Sequence, residues 1–154
     1  MAVGDFTHNM SWARGRLLES YRPTGSSSTF GYGYDRQGLR TSKVVDGSLA
    51  RKYFYEGSKL VAERWVDGNG RVNYFHYQYD AGGLCGVVHE VYSDSTGLRD
   101  TTEYVVFCDT FGTPRQVRRL SDNSVTAEFV YDAWGRRTAT AASAPDFVSG
   151  FVIS

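Results

Sequence analysis

One short unit recurs along this chain, and a unit of that size can bury its apolar face only by stacking against neighbouring copies of itself. Tyr32-Gly-Tyr34-Asp35-Arg-Gln-Gly38 returns as Tyr53-Phe-Tyr55-Glu56-Gly-Ser-Lys59, as Tyr77-Gln-Tyr79-Asp80-Ala-Gly-Gly83 and as Phe129-Val-Tyr131-Asp132-Ala-Trp-Gly135. A degenerate copy is Val106-Phe-Cys108-Asp109-Thr-Phe-Gly112, and a worn one, a residue short in its turn, is Met10-Ser-Trp12-Ala-Arg-Gly15. The acidic positions 35, 56, 80, 109 and 132 are 21, 24, 29 and 23 residues apart.

The unit has a physical reading. Two aromatics separated by one residue lie on the same face of a strand. An Asp directly after them suits the first position of a tight turn, where its side chain can bond the backbone ahead. Gly three residues later fits a turn exit that strains other residues. A second series of turn signals alternates with the first: Asp46-Gly47, Asp67-Gly-Asn-Gly70, Asp94-Ser-Thr-Gly97 and Asp122-Asn123. Between the turns the spacing predicts strands near 28–34, 39–45, 49–55, 60–66, 71–79, 84–92, 103–108, 113–120, 125–131 and 136–140, with two more near 5–12 and 16–22. The expected fold is all-β, an antiparallel meander of tandem β-hairpins in a curved, twisted sheet. The repeat domain is assigned to residues 1–140 and a non-repeat tail to 141–154, with a further strand conceivable over Phe147–Ile153.

Composition narrows the function classes. Lys plus Arg and Asp plus Glu both number 17, so the formal charge is zero and a nucleic-acid partner is not expected. Eleven Tyr and seventeen Gly favour strands and tight turns. No apolar run approaches the roughly 18 residues of a membrane helix, so no membrane insertion is expected. The first residues show no basic segment followed by an apolar core, so no secretory signal is visible. The chain either stays inside the cell or is a piece of a longer exported protein.

The repeats resemble the YD repeat of Rhs and wall-associated proteins, a group that includes teneurins and insecticidal toxin-complex subunits. The stretch Tyr32–Lys43 followed by Tyr53–Glu63 is similar to consecutive Rhs repeats. Phe111-Gly-Thr-Pro-Arg115 followed by Tyr131-Asp-Ala-Trp-Gly135 looks like the segment that closes an Rhs core. The resemblance covers about residues 10 to 138. It implies a sheet of repeats that coils into a hollow shell, in large members around a toxic C-terminal domain, and it implies a secreted or cell-surface setting. The chain departs from that pattern in having few repeats and no counterpart of the acidic self-cleavage motif after Arg137.

Residue chemistry separates the candidate sites. The repeated acids Asp35, Glu56, Asp80, Asp109 and Asp132, with Gly38, Gly83, Gly112 and Gly135, are read as turn residues and not as paired catalytic carboxylates. His8, His76 and His89 have no Cys or carboxylate at metal-ligand spacing. Gly57-Ser58-Lys59 lacks the upstream glycine of a phosphate loop. No catalytic residue, metal or cofactor is assigned, and the chain is expected not to be an enzyme. Tyr32, Tyr34, Tyr53, Tyr55, Tyr77, Tyr79 and Tyr131 are expected to form the repeat core. Trp12, Trp65 and Trp134 are the candidate rings for binding a carbohydrate or a protein, Trp134 at a turn tip being the one expected to be exposed. Cys85 and Cys108 face each other if the intervening loop is centred between residues 96 and 97; a turn over Asp94–Gly97 places Cys85 opposite Val106 instead. Free thiols are the preferred expectation. Unpaired strands at the ends of such a sheet predict self-association or pairing with further repeats of a larger protein.

Overall fold

The computed structural model describes residues 9–93, 97–135 and 137–142, and among them all regular structure is strand. The chain divides into two compact units, 1–72 and 73–154. In the first unit, β1 (Asn9–Ala13), β2 (Leu17–Arg22), β3 (Phe30–Tyr34), β4 (Arg40–Val45), β5 (Ser48–Glu56) and β6 (Lys59–Val66) lie side by side in chain order. In the second, β7 (Val72–Asp80), β8 (Gly83–Ser93), β9 (Gly97–Cys108), β10 (Pro114–Arg119), β11 (Val125–Tyr131) and β12 (Arg137–Ala142) do the same. Every neighbouring pair whose register is resolved is antiparallel, as in Tyr32↔Lys43, Tyr53↔Glu63, Val87↔Tyr104 and Gln116↔Glu128. The all-β meander expected from the turn spacing is therefore the fold. The expected strands over 5–8 and Phe147–Ile153 lie outside the described residues.

One boundary differs from expectation. β9 begins at Gly97, six residues before the anticipated 103. The segment Leu98-Arg-Asp-Thr-Thr-Glu103 is polar and gives no periodic signal, yet it pairs with β8 from Thr102↔His89 out to Gly97↔Ser93. β10 accompanies β9 only from Tyr104 to Cys108, with one further bond from the Leu120 N–H to the Glu103 carbonyl. The outer part of β9 therefore borders an open groove of about 560 Å³ between Asp100–Glu103 and Arg119–Ser121. A register shift facing Val91/Tyr92 and the charges of Arg99 and Asp100 blunt that edge against casual strand pairing.

Period-two alternation divides the sheet faces. Along β5 and β6, Arg51, Tyr53, Glu63 and Trp65 are buried, whereas Lys52, Phe54 and Val66 are exposed. In the second unit Phe75, Val87 and Val117 are fully buried, joined by Tyr77, Tyr104, Val106, Ala127 and Phe129. Each large side chain so covered stabilises the fold by roughly 1.5–3 kcal/mol. The expected tyrosine core is narrower than anticipated. Tyr53 and Tyr77 are buried, but Tyr32, Tyr34, Tyr55, Tyr79 and Tyr131 remain half-exposed. Four of these five stand next to their acidic turn residue, at the rim of the sheet where fewer strands cover them. Tyr34 uses its position differently, its hydroxyl donating to the Leu18 carbonyl at 2.8 Å.

A charge pair sits inside this apolar face. Arg51 donates from Nη1 to Glu63 Oε2 at 2.5 Å, with the two side chains only 8% and 0% exposed. The same guanidinium lies 4.4 Å over the ring of Trp65. Tyr53 faces Glu63 across the ladder, and its phenol is pushed up to about 12, first by burial and then by the Glu63 carboxylate. Removing one partner of a buried pair leaves the other as an uncompensated charge. Arg51→Met is expected to cost about 3–5 kcal/mol of unfolding free energy in urea, and Arg51→Met with Glu63→Leu to recover most of it. A single-variant loss below about 1 kcal/mol by circular dichroism would contradict a buried pair, because it is the size expected of an exposed one.

Candidate functional site

The repeat acids act on the backbone ahead of them. At Asp35, Oδ1 accepts from the N–H groups of Gln37 and Leu39, both at 2.9 Å, and Gly38 N–H returns to the Asp35 carbonyl. Asp109 does the same with Phe111 and Thr113, and Gly112 N–H returns to its carbonyl. Asp80 accepts from Gly82, and Asp132 from Trp134. The glycines closing these turns, Gly38, Gly83, Gly112 and Gly135, all have positive φ, a conformation that strains any residue with a Cβ. In these four turns the Asp carboxylate bonds the backbone ahead of it.

Three turns refine the two series. Asp67, which belongs to the intermediate series in sequence, makes the full set of bonds to Asn69 and Arg71, with Gly70 at positive φ. Glu56 stands where the repeat expects Asp, and there the strands close through a two-residue turn with Glu56 opposite Lys59 and Gly57 at φ 61°. The added methylene of Glu removes the short reach that an Asp-type turn needs, and Lys59 cannot take the glycine's conformation. The worn copy at Met10–Gly15 closes through three residues between the paired Ala13 and Leu17, with Arg14 and Gly15 both at positive φ. That accounts for its missing residue.

These turns present rings at the sheet ends. Trp134 and Phe111 occupy the same position in their turns and each is 92% exposed. Trp134 was anticipated there. Phe111 was not singled out, although aligning Asp109-Thr-Phe-Gly112 with Asp132-Ala-Trp-Gly135 carries the signal. Trp12 is 55% exposed on β1. Trp65 corrects the candidate list: it is 6% exposed beneath Arg51, so its ring belongs to the packed face and cannot stack on a ligand. Between the two exposed tips, Arg115 donates to Asp109 Oδ2 from Nε and Nη2 at 3.0 and 2.8 Å and lies 4.9 Å over the ring of Tyr131. One cation thus ties one turn to the strand leading into the next.

The cysteines are free. Gly86 pairs with Val105, a register that carries Cys85 to Val106 and not to Cys108, the second of the two registers considered. Burial pushes the Cys108 thiol up, helped by the Asp109 carboxylate. The histidines join cross-strand bonds that no sequence spacing indicated. His76 Nε2 lies 3.0 Å from Glu90 Oε2, which also accepts from the Tyr92 hydroxyl, and His89 Nε2 lies 2.9 Å from Asn73 Oδ1. Among the described residues, no group of three or more His, Cys, Asp or Glu is placed to hold a metal ion.

Over 143 residues the chain is 30% identical to the tRNA3(Ser)-specific nuclease WapA of Bacillus spizizenii. That match takes in 91% of this chain but only 5% of the length of the nuclease. No family model matches the sequence.

Two turn carboxylates, Asp109 and Asp122, add to the sensitivity of the fold to acid. Hydrogen bonds from the Thr113 amide, then from Arg115 and the Phe111 amide, outweigh burial and hold the Asp109 carboxyl below its usual value. The Ser124 hydroxyl and amide do the same for Asp122. A carboxyl depressed by folding stabilises the fold above its unfolded value, near ~3.9, and that contribution fades as pH falls through the folded value. Asp109→Asn is therefore expected to lower Tm near neutral pH and to flatten the fall of Tm on acidification below about pH 4. An acid limb as steep as that of the parent would contradict the assignment.

Proposed function

We propose that this chain is a non-catalytic structural repeat module, a segment of a YD-repeat scaffold of the Rhs and wall-associated type. It works beside further repeats of a larger exported protein or beside copies of itself. The observation that carries the reading is the turn itself: Asp35, Asp80, Asp109 and Asp132 each spend a carboxylate oxygen on the backbone N–H two residues ahead, a contact repeated along the array. Residues so engaged serve shape, which is what a stacked repeat requires. The likeness to 5% of a much longer protein supports a role as one stretch of a larger array. The resemblance to Rhs cores extends the reading to a shell or scaffold of a toxin system, and the exposed tip rings leave room for a ligand as a second role.

A repeat sheet that serves as scaffold needs its outer strands covered. Light scattering on a sizing column, across a roughly hundredfold concentration range, is expected to give a dimer or larger species. A mass of 17.2 kDa throughout would contradict the scaffold reading, because the chain would then seal its own edges.

A further inference from the structure

The zero net charge of the chain hides two opposite halves. Residues 1–72, the first compact unit, carry eleven Lys and Arg against seven Asp and Glu, while residues 73–154 carry six against ten. In the first unit three cations gather on the face that holds Tyr53. Residues opposed across a ladder share a face of the sheet, as do residues two apart on one strand. Tyr32 opposes Lys43 and Lys43 opposes Arg51, so these three form a row across β3, β4 and β5. Arg40 joins them by setting its guanidinium 4.5 Å over the Tyr32 ring, and Lys43 Nζ lies 5.4 Å over the Phe30 ring. Burial, then the charges of Arg51 and Arg40, holds the Lys43 ammonium below its ordinary value, so the three cations act on one another.

Two acids share this face. Glu63 is bound by Arg51. Glu19, on β2 two residues before the Tyr21 that opposes Phe30, is exposed and forms no ion pair with a described cation. At the turns, Asp35 and Asp46 each spend Oδ1 on backbone N–H groups, and the Arg14 guanidinium binds the Asp35 and Arg36 carbonyls. Arg40 and Lys43 are left with no hydrogen bond or ion pair to any described residue, and Arg40 Nε is buried without an acceptor. An orphaned donor of that kind in a folded chain needs an explanation. The hydroxyls of Tyr32, Tyr53 and Tyr55 also have no described partner, and burial above all raises the last two phenols, so both stay protonated and can donate. Apart from Arg40 Nε, no donor atom of these five side chains is sealed from solvent.

We propose that Arg40 and Lys43, with the hydroxyls of Tyr32, Tyr53 and Tyr55, form a binding site for a tetrahedral oxyanion of the phosphate class. The guanidinium fork matches two phosphate oxygens, and the ammonium adds a compact point charge. Donors drawn from three strands suit an anion whose oxygens point in several directions, where a planar carboxylate would leave some of them unused. Both a free phosphate ion and a phosphate ester offer this chemistry.

The test is a titration of the intact chain with inorganic phosphate at constant ionic strength, sodium chloride making up the balance. A saturable rise in Tm is expected, with amide NMR shifts in β3, β4 and β5 and none in the second unit. Arg40→Gln and Lys43→Gln should each weaken binding by about tenfold or more, and acetate should bind the parent more weakly by about as much. Lys52→Gln removes the same charge from the other face, where Lys52 opposes Arg64, and should leave the affinity unchanged. Tighter binding of glycerol phosphate than of inorganic phosphate would support the site with an ester as its ligand; the reverse order would support it with the free ion. The proposal is overturned by a Tm rise no larger than chloride gives, or by acetate binding as tightly as phosphate. Equal weakening by Lys52→Gln and Lys43→Gln would overturn it too, since bulk charge would then explain the effect. Should either site variant fail to fold, the amide shifts of the parent decide: shifts absent from β3, β4 and β5 at saturating phosphate overturn the proposal.

Discussion

At Asp35, Asp67, Asp80, Asp109 and Asp132 the hairpin closes on a carboxylate that accepts the backbone N–H two residues ahead. At Asp35, Asp67 and Asp109 the same Oδ1 also takes the N–H four residues ahead, and the acid's own N–H reaches the carbonyl four residues on. Three successive backbone donors of the turn, Gln37, Gly38 and Leu39 at Asp35, are bound by the Asp itself. The turn also fixes the register of the two strands it joins, because a slip of one residue would carry every ring to the other face. The burial of Tyr53 and Tyr77 and the half-exposed positions of the flanking tyrosines follow from where these turns stand.

Between the turns, the face that the register selects has mixed chemistry. Phe75, Val87 and Val117 give it an apolar floor in the second unit, while the first unit places the Arg51–Glu63 pair over the ring of Trp65. Arginine suits this arrangement because its flat guanidinium can bind a carboxylate at its edge and an aromatic ring on its face at the same time. The cost of drawing two charges out of water is offset only while both remain in place. Such a pair specifies one register of β5 against β6: shifted by a residue, Arg51 and Glu63 would point to opposite faces.

How much of this is legible in the sequence depends on how local each requirement is. Asp35 with Gly38, or Asp132 with Gly135, states its turn within four residues, and the strand order follows once the turns are placed. The pairing of Arg51 with Glu63 is not legible, since it depends on the register across a ladder as well as on the intervening turn at Gly57. The burial of Trp65 is hidden for the same reason. The polar run from Leu98 to Glu103 looks like loop because its strand character comes from β8 alone. The cysteine register hung on a single residue in the placing of one turn. Phe111 was legible in principle, but only by comparing equivalent turn positions, because its repeat copy has Cys108 where the others have tyrosine.

The central claim is that the Asp carboxylates, one per turn, set the geometry of the hairpins. Amide hydrogen exchange by NMR tests it most directly, comparing the parent with Asp35→Ala, Asp67→Ala and Asp109→Ala. The account predicts that each substitution releases its own pair of amides first, Gln37 with Leu39, Asn69 with Arg71, or Phe111 with Thr113, while the other two pairs stay protected. Unchanged protection at the substituted turn, or equal loss at all three turns from any one substitution, would contradict it.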